Sequence, residues 1–182
     1  MTRFFGVEKR QFLVLIFASM MVACVSVPEG ITPVTGVDFQ RYQGKWFEIA
    51  RLDNSFEQGM EQVTAEYSSR EDGGIRVINR GYSIYENEWK EAEGRAYTVN
   101  APDEGFLKVS FFGPFYGAYI IFGLDKVEYQ YTFVAGNNHK YLWLLARTPE
   151  VSEELKSQFV TEAEAQGFNT EDLIWVNQVS DN

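Results

Sequence analysis

Histidine and cysteine each occur once in this 182-residue sequence, as His139 in GNNHK and Cys24 in MVAC. Those counts bound the chemistry. A nucleophile paired with a base needs both partners in one site, and a zinc site needs several ligands. His139 falls in a polar turn, where a solvated loop residue is expected rather than a general base. The carboxylate pairs Glu86 with Glu88 and Glu91 with Glu93 fall on strand or turn surfaces and read as solvation. The sequence contains neither a phosphate-cradling glycine loop nor a G-x-S-x-G elbow. From these residues no enzyme activity, metal or cofactor is expected. The remaining chemistry is apolar: aromatic residues make up 16% of the chain and are densest in FFGPFYGAYIIF, residues 111–122. Such a run either packs a core or lines a cavity for an apolar ligand.

The start of the chain has a different composition. Arg3, Lys9 and Arg10 precede the apolar run FLVLIFA, and small residues lead to Cys24, the layout of a cleaved export signal over residues 1–23. The run is too short for a membrane span. MVAC resembles the lipobox of bacterial lipoproteins, which implies a diacylated Cys24 as the mature N-terminus, followed by a tether over 24–37. Val25 stands where an aspartate would imply retention at the inner membrane, so the resemblance implies the outer membrane, lipid-anchored, on its periplasmic face. Without Arg3, Glu8, Lys9 and Arg10 the chain keeps 13 basic and 25 acidic residues, a formal charge of -12. A surface this acidic argues against a nucleic-acid partner and against electrostatic docking on anionic headgroups.

The elements follow from periodicity. Alternation punctuated by turns predicts eight antiparallel strands: WFEIAR, VTAEYSS, IRVINRGY, EWKEAEGRAYTV, FLKVSFF, GAYIIFGLD, EYQYTFVAG and YLWLLART. Close spacing with no intervening helix points to an all-β, up-and-down barrel domain over 38–182, whose eight strands enclose room for side chains or one small ligand. Charged residues within the strands, such as Arg51, Arg76 and Lys108, argue against a porin-like barrel. After the eighth strand Val151, Leu155, Phe159 and Ala163 recur every fourth residue and Gly167 can stop the run. One C-terminal helix should pack outside the barrel, followed by a short final strand at LIWV, 173–176.

GKWFEIARLDNSFEQG resembles the first block of the lipocalins in the form carried by the bacterial outer-membrane and apolipoprotein D-like branch. VTAEYSSREDGG, LKVSFFGPFYGAY, YLWLLARTP and GFNTEDLIWV are similar to the same branch, so the resemblance covers most of residues 38–178. It implies a barrel floor built from Gly44, Trp46 and Arg147, with the arginine lying across the indole. It further implies an apolar ligand of the lysophospholipid or fatty-acid class and a role in envelope maintenance or stress. The family's second block is irregular here: Tyr129 comes four residues after Asp125, which leaves the register of the next strand open by one position.

Parity then nominates the lining of the cup. If Arg147 points inward, Leu145 and Trp143 share its face and Tyr141 lies nearer the rim. Trp46 carries Ala50 inward by the same rule, Tyr67 belongs to the apolar face of its strand, and Tyr119 and Phe133 complete the set. Lys90, Arg95 and Lys108 are available to read a headgroup. Gly113–Gly117 (GPFYG) makes an aromatic loop tip that suits a membrane or a second copy of the chain, a homodimer. Two functions remain open: a lipid-binding module with a hollow cup, or a lipid-anchored interaction or assembly protein whose barrel its own aromatics fill. The first expects no titratable group at the cup's base beyond Arg147.

Overall fold

The computed structural model describes residues 25–178, so the segment expected to be an export signal and Cys24, the expected acylation site, lie outside the described residues. A short helix α1 (Phe39–Tyr42) leads into β1 (Gly44–Leu52), β2 (Met60–Ser69), β3 (Ile75–Ser83), β4 (Glu88–Thr98), β5 (Phe106–Ser110), β6 (Gly117–Leu124), β7 (Tyr131–Ala135) and β8 (Leu142–Ala146). Helix α2 (Glu153–Ala165) and β9 (Leu173–Trp175) follow. Each of the first eight strands pairs antiparallel with its neighbour, and β1 pairs with both β2 and β8, which closes the barrel and removes its edges. The eight-stranded barrel, the outer helix and the final strand are therefore present as the alternation predicts.

α1 forms because Asp38 caps it, its carboxylate accepting from the Gln40 and Arg41 amides. Since β1 climbs from this end, the connections at 70–74, 99–105 and 125–130 also lie at the closed floor, and those at 53–59, 84–87, 111–116 and 136–141 surround the open mouth. The segment 25–37 packs on the barrel wall: Ile31 and Val37 are buried, and Val34 bonds through its backbone to Ile121 and Gly105.

Two apolar clusters separate inside from outside. The outer one puts Phe159 and Ala163 of α2 on Ile120, Phe133, Leu142 and Leu144 of the barrel wall. Ser152 caps this helix by accepting from the Leu155 amide, and Gly167 follows it at φ +89°. The inner cluster gathers Trp46, Tyr67, Val77, Leu107, Ile121, Val134 and Leu145 around the cup.

Two bulges correct two of the expected cup residues. The β1–β8 register shifts between Glu48 and Ala50, so Ile49 is the extra residue and parity reverses beyond it. Ala50 therefore lies opposite Leu144 in the outer cluster, and Arg51 turns inward opposite Trp143. The β6–β7 register shifts between Ile121 and Gly123, so Val134 faces Ile121 inside and Phe133 lies outside against Phe159, ring centroids 5.1 Å apart. A Cβ on Gly123 would come within 2.3 Å of the Phe133 ring, so glycine is the residue that lets this ring lie flat on the wall. The strand after Asp125 also starts later than the alternation suggests, at Tyr131, because Asp125 holds residues 127–130 in a turn through the amides of Val127, Glu128 and Gln130.

Candidate functional site

The floor is a stack. Trp46 is fully buried, and the Arg147 guanidinium carbon lies 3.8 Å from the centroid of its ring. Arg147 also donates to the backbone carbonyls of Tyr129, Lys45 and Arg41, which fixes the plane of the guanidinium. Partial burial lowers its pKa, as desolvation of a cation must. Gly44 enters the floor at φ +90°, and a Cβ there would stand 3.5 Å from Arg147 Nη1. The Trp46 indole nitrogen donates to the Tyr42 carbonyl at 2.8 Å, tying floor to α1.

Above the floor the barrel is hollow. A cavity of about 600 Å³ opens between the mouth loops, well above the ~300 Å³ at which small-molecule sites begin. Tyr67, Tyr119, Trp143 and Leu145 line it, as does Tyr141 towards the rim. Ala50 and Phe133 do not. Aliphatic side chains complete the lining, Val77, Leu107 and Val134 among them.

Polar groups break this wall at two heights. At the deep end the phenol oxygen of Tyr119 lies 2.7 Å from that of Tyr42 and 2.9 Å from that of Tyr67. Burial pushes the Tyr42 phenol up to about 12 and raises those of Tyr67 and Tyr119 well above their ordinary value. All three stay protonated at neutral pH.

Higher on the wall, Arg51 Nη1 donates to Glu48 Oε1 at 2.7 Å, with both side chains buried. Arg51 Nη2 donates to the carbonyls of Glu57 and Met60, each at 3.0 Å, which pins the β1–β2 loop to the wall. Glu57 Oε2 accepts from the Trp143 indole at 3.0 Å and from the Asn54 amide. Burial, reinforced by the charge of Glu57 and opposed by Arg51, raises the Glu48 carboxyl well above its ordinary value. Titratable groups beyond Arg147 thus face the cup, with the phenols of Tyr42, Tyr67 and Tyr119 at its base and Glu48 and Glu57 on the wall above, contrary to the expectation of a base with no other titratable group. The sequence held one signal for the carboxylates: Glu48 shares the face of Trp46. Nothing local marks Glu57.

The three basic residues nominated for a headgroup all make contacts at or beside the cavity, Lys90 and Tyr116 being among its lining residues. Lys90 pairs with Glu86 and Glu88, while Arg95 and Lys108 lie over the Tyr116 ring at 6.0 and 5.2 Å. His139 is not a solvated loop residue. Its Nε2 lies 2.9 Å from the Gln166 carbonyl and its ring packs on Phe168, so it holds the end of α2 to the mouth. Among the described residues no group of three His, Cys, Asp or Glu side chains converges to hold a metal ion.

Comparison with known proteins places this geometry in a wider set. A family model described as "Lipocalin-like domain" matches residues 37–178. The outer membrane lipoprotein Blc of Vibrio cholerae is 51% identical over 169 residues, covering 93% of this chain and 99% of that one. The protein of the same name in Escherichia coli is 48% identical over 163 residues, 88% of this chain and 92% of that one. Among solved structures, insecticyanin from the tobacco hornworm Manduca sexta superposes with a TM-score of 0.68 over 86% of this chain and 88% of that one. At 17% identity this last likeness concerns the fold alone.

Proposed function

This chain belongs to the lipocalin family, and from that premise we propose that it carries a single-tailed amphiphile, a lysophospholipid or fatty acid, with the tail inserted into the cup. Like its relatives at about half identity it is an outer-membrane lipoprotein. Acylation of Cys24 would supply the anchor, and two or more acyl chains hold a domain to a bilayer far more firmly than one. On the periplasmic face such a carrier would pick up or deliver lipid in envelope maintenance or stress.

The observation that carries this reading is the hollow, largely aliphatic cup of about 600 Å³. A barrel filled by its own aromatics would leave no such space, because protein interiors pack to crystal-like density. The test is a titration of the delipidated domain, made soluble by Cys24→Ser, with a lysophospholipid and with a fatty acid while tryptophan fluorescence is followed. Saturable quenching at one ligand per protein is expected. A linear, non-saturating response to both lipids would sink the reading.

One observation favours a second reading, an interaction protein. Phe112 and Phe115 at the tip of the 111–116 loop remain 81% and 73% exposed. Paired large apolar residues at a loop tip suit a protein contact, and a homodimer through this tip is the form it would take. Sedimentation equilibrium of the wild type and of a Phe112→Ser, Phe115→Ser variant tests it: a dimer that persists in the variant would refute this contact.

A further inference from the structure

The barrel closes between β1 and β2 only towards its floor. Their ladder runs from Gly44–Tyr67 to Phe47–Thr64 and stops there, although β1 continues to Leu52 and β2 begins at Met60. Two bends part the strands above it. Ile49 is the extra residue of β1, and β2 shifts register against β3 between Glu61 and Thr64, with Gln62 in the left-handed region at φ +50°. The gap gives onto the cup, because Glu48 on one side and Met60 and Val63 on the other are lining residues.

The C-terminal segment fills this gap. Leu173, Ile174 and Trp175 pair with Leu52, Arg51 and Ala50, and the Val176 amide donates to the Ile49 carbonyl. On the other side the Gln62 amide donates to the Asn177 carbonyl. Gln178 spans both strands, its side-chain amide donating to the carbonyls of Glu48 at 2.8 Å and Val63 at 2.9 Å. From the inner side Arg51 crosses the same gap to the Met60 carbonyl. Residues 173–178 therefore give β1 and β2 the backbone partners that the two strands, once parted, do not give each other.

This closure is weakly held. None of residues 173–178 is buried, whereas Ile49, Ala50 and Leu52 beside them are. A short segment with few buried contacts opens locally well before its barrel unfolds. Its opening also reaches the mouth. The 53–59 loop joins the two parted strands and holds Phe56 against Tyr141 and Trp143, so widening the gap draws that ring aside.

We propose that residues 173–178 are a latch over a lateral seam of the cup, and that its release sets the rate at which lipid enters and leaves. The inference rests on the carrier reading given above. Bound and empty protein are both latched, so holding the latch shut slows entry and exit alike and leaves affinity unchanged.

The experiment uses the Cys24→Ser protein, which has no other cysteine. Because Val176 and Ile49 share a backbone bond, Ala50 and Trp175 next to them form a pair without one, where cross-strand side chains come closest. Ala50→Cys combined with Trp175→Cys can thus lock the latch by a disulfide. Stopped-flow tryptophan fluorescence follows binding of palmitoyl lysophosphatidylcholine below its micelle concentration, and its release to phosphatidylcholine vesicles, in the oxidised and reduced forms. Oxidation should slow both steps by at least roughly tenfold with Kd unchanged, and reduction should restore them. Gln178→Ala, which removes both side-chain bonds, should speed both steps by roughly threefold or more. Oxidised and reduced rates that agree would show lipid passing a closed seam and overturn the latch, as would a change confined to Kd. Should the disulfide fail to form, unchanged rates in Gln178→Ala overturn it alone. If the Cys24→Ser protein binds no lysophospholipid, the carrier reading falls and the latch with it, so the two failures are distinguishable.

Discussion

The indole nitrogen of Trp143 donates to the Glu57 carboxylate across 3.0 Å, joining the wall of the cup to the loop that borders its mouth. The pair also positions an aromatic group, since Phe56 of the same loop lies 6.4 Å from the Trp143 ring and 6.1 Å from Tyr141. Access to the cavity therefore depends on a polar contact within an apolar frame. Trp143→Phe keeps the ring and removes the donor. A hydrogen bond to a charged group contributes about 1.5–3 kcal/mol, so amide exchange over residues 53–59 should accelerate tenfold or more while the barrel strands stay protected. Unchanged exchange in that loop would show that the contact does not hold it.

The raised Glu48 carboxyl makes stability depend on pH. Its folded pKa lies above the unfolded value near ~4.3, so the folded state binds the proton more tightly. That contribution is fully present below the unfolded value and is lost as pH rises through the folded one. Glu48→Gln fixes the neutral form, and its denaturation midpoint should therefore gain on wild type as pH rises from 4 to 8. A constant difference between the two proteins would mean that Glu48 titrates normally.

Arg147→Met removes the guanidinium over Trp46 and leaves three backbone carbonyls without their donor. The cation–π contact contributes about 1–2 kcal/mol when desolvated and each lost bond adds to it. Urea denaturation should show a loss of about 2–4 kcal/mol. A loss below ~0.5 kcal/mol would show the floor to be independent of this residue.

The bulges make a paired prediction. Phe133 lies under α2, outside the cup, so Phe133→Ala should cost about 3–5 kcal/mol of stability. Lipid affinity of the folded protein should change little. Leu145 faces the cavity, and Leu145→Ala should weaken lipid binding severalfold. The reverse pattern in calorimetry and lipid titration would put the register of β7 one residue off.

The anchor is tested in cells. With Cys24 intact the protein should fractionate with the outer membrane, and Cys24→Ser should move it to the soluble periplasmic fraction. Membrane retention of the serine variant would mean that another feature holds it there.

Much of this architecture was legible because side-chain alternation is a local property. Glu66 and Val77 fall on the strands their neighbours predict, and the Val151–Ala163 stripe finds the outer wall. Bulges are not legible in the same way. One extra residue at Ile49 reverses the parity of Ala50 and Arg51, and no composition marks it. Phe133 and Val134 are equally apolar, so only the partner strand reveals which faces in. The polar groups of the cup depend on long-range meetings: Tyr42 and Tyr119 are 77 residues apart, and Trp143 and Glu57 86. Cys24 was read from a motif, and its structure lies outside the described residues.

The claim that most needs testing is that lipid occupies the cup rather than the outer surface. Ala96 is buried and lines the cavity, so Ala96→Trp should fill the space with an indole while leaving the barrel folded. The measurement is calorimetric titration of lysophospholipid into wild type and this variant, each with a thermal melt. Loss of saturable binding with an unchanged or higher melting temperature is the expected result. Undiminished affinity in a plugged, folded barrel would contradict the account.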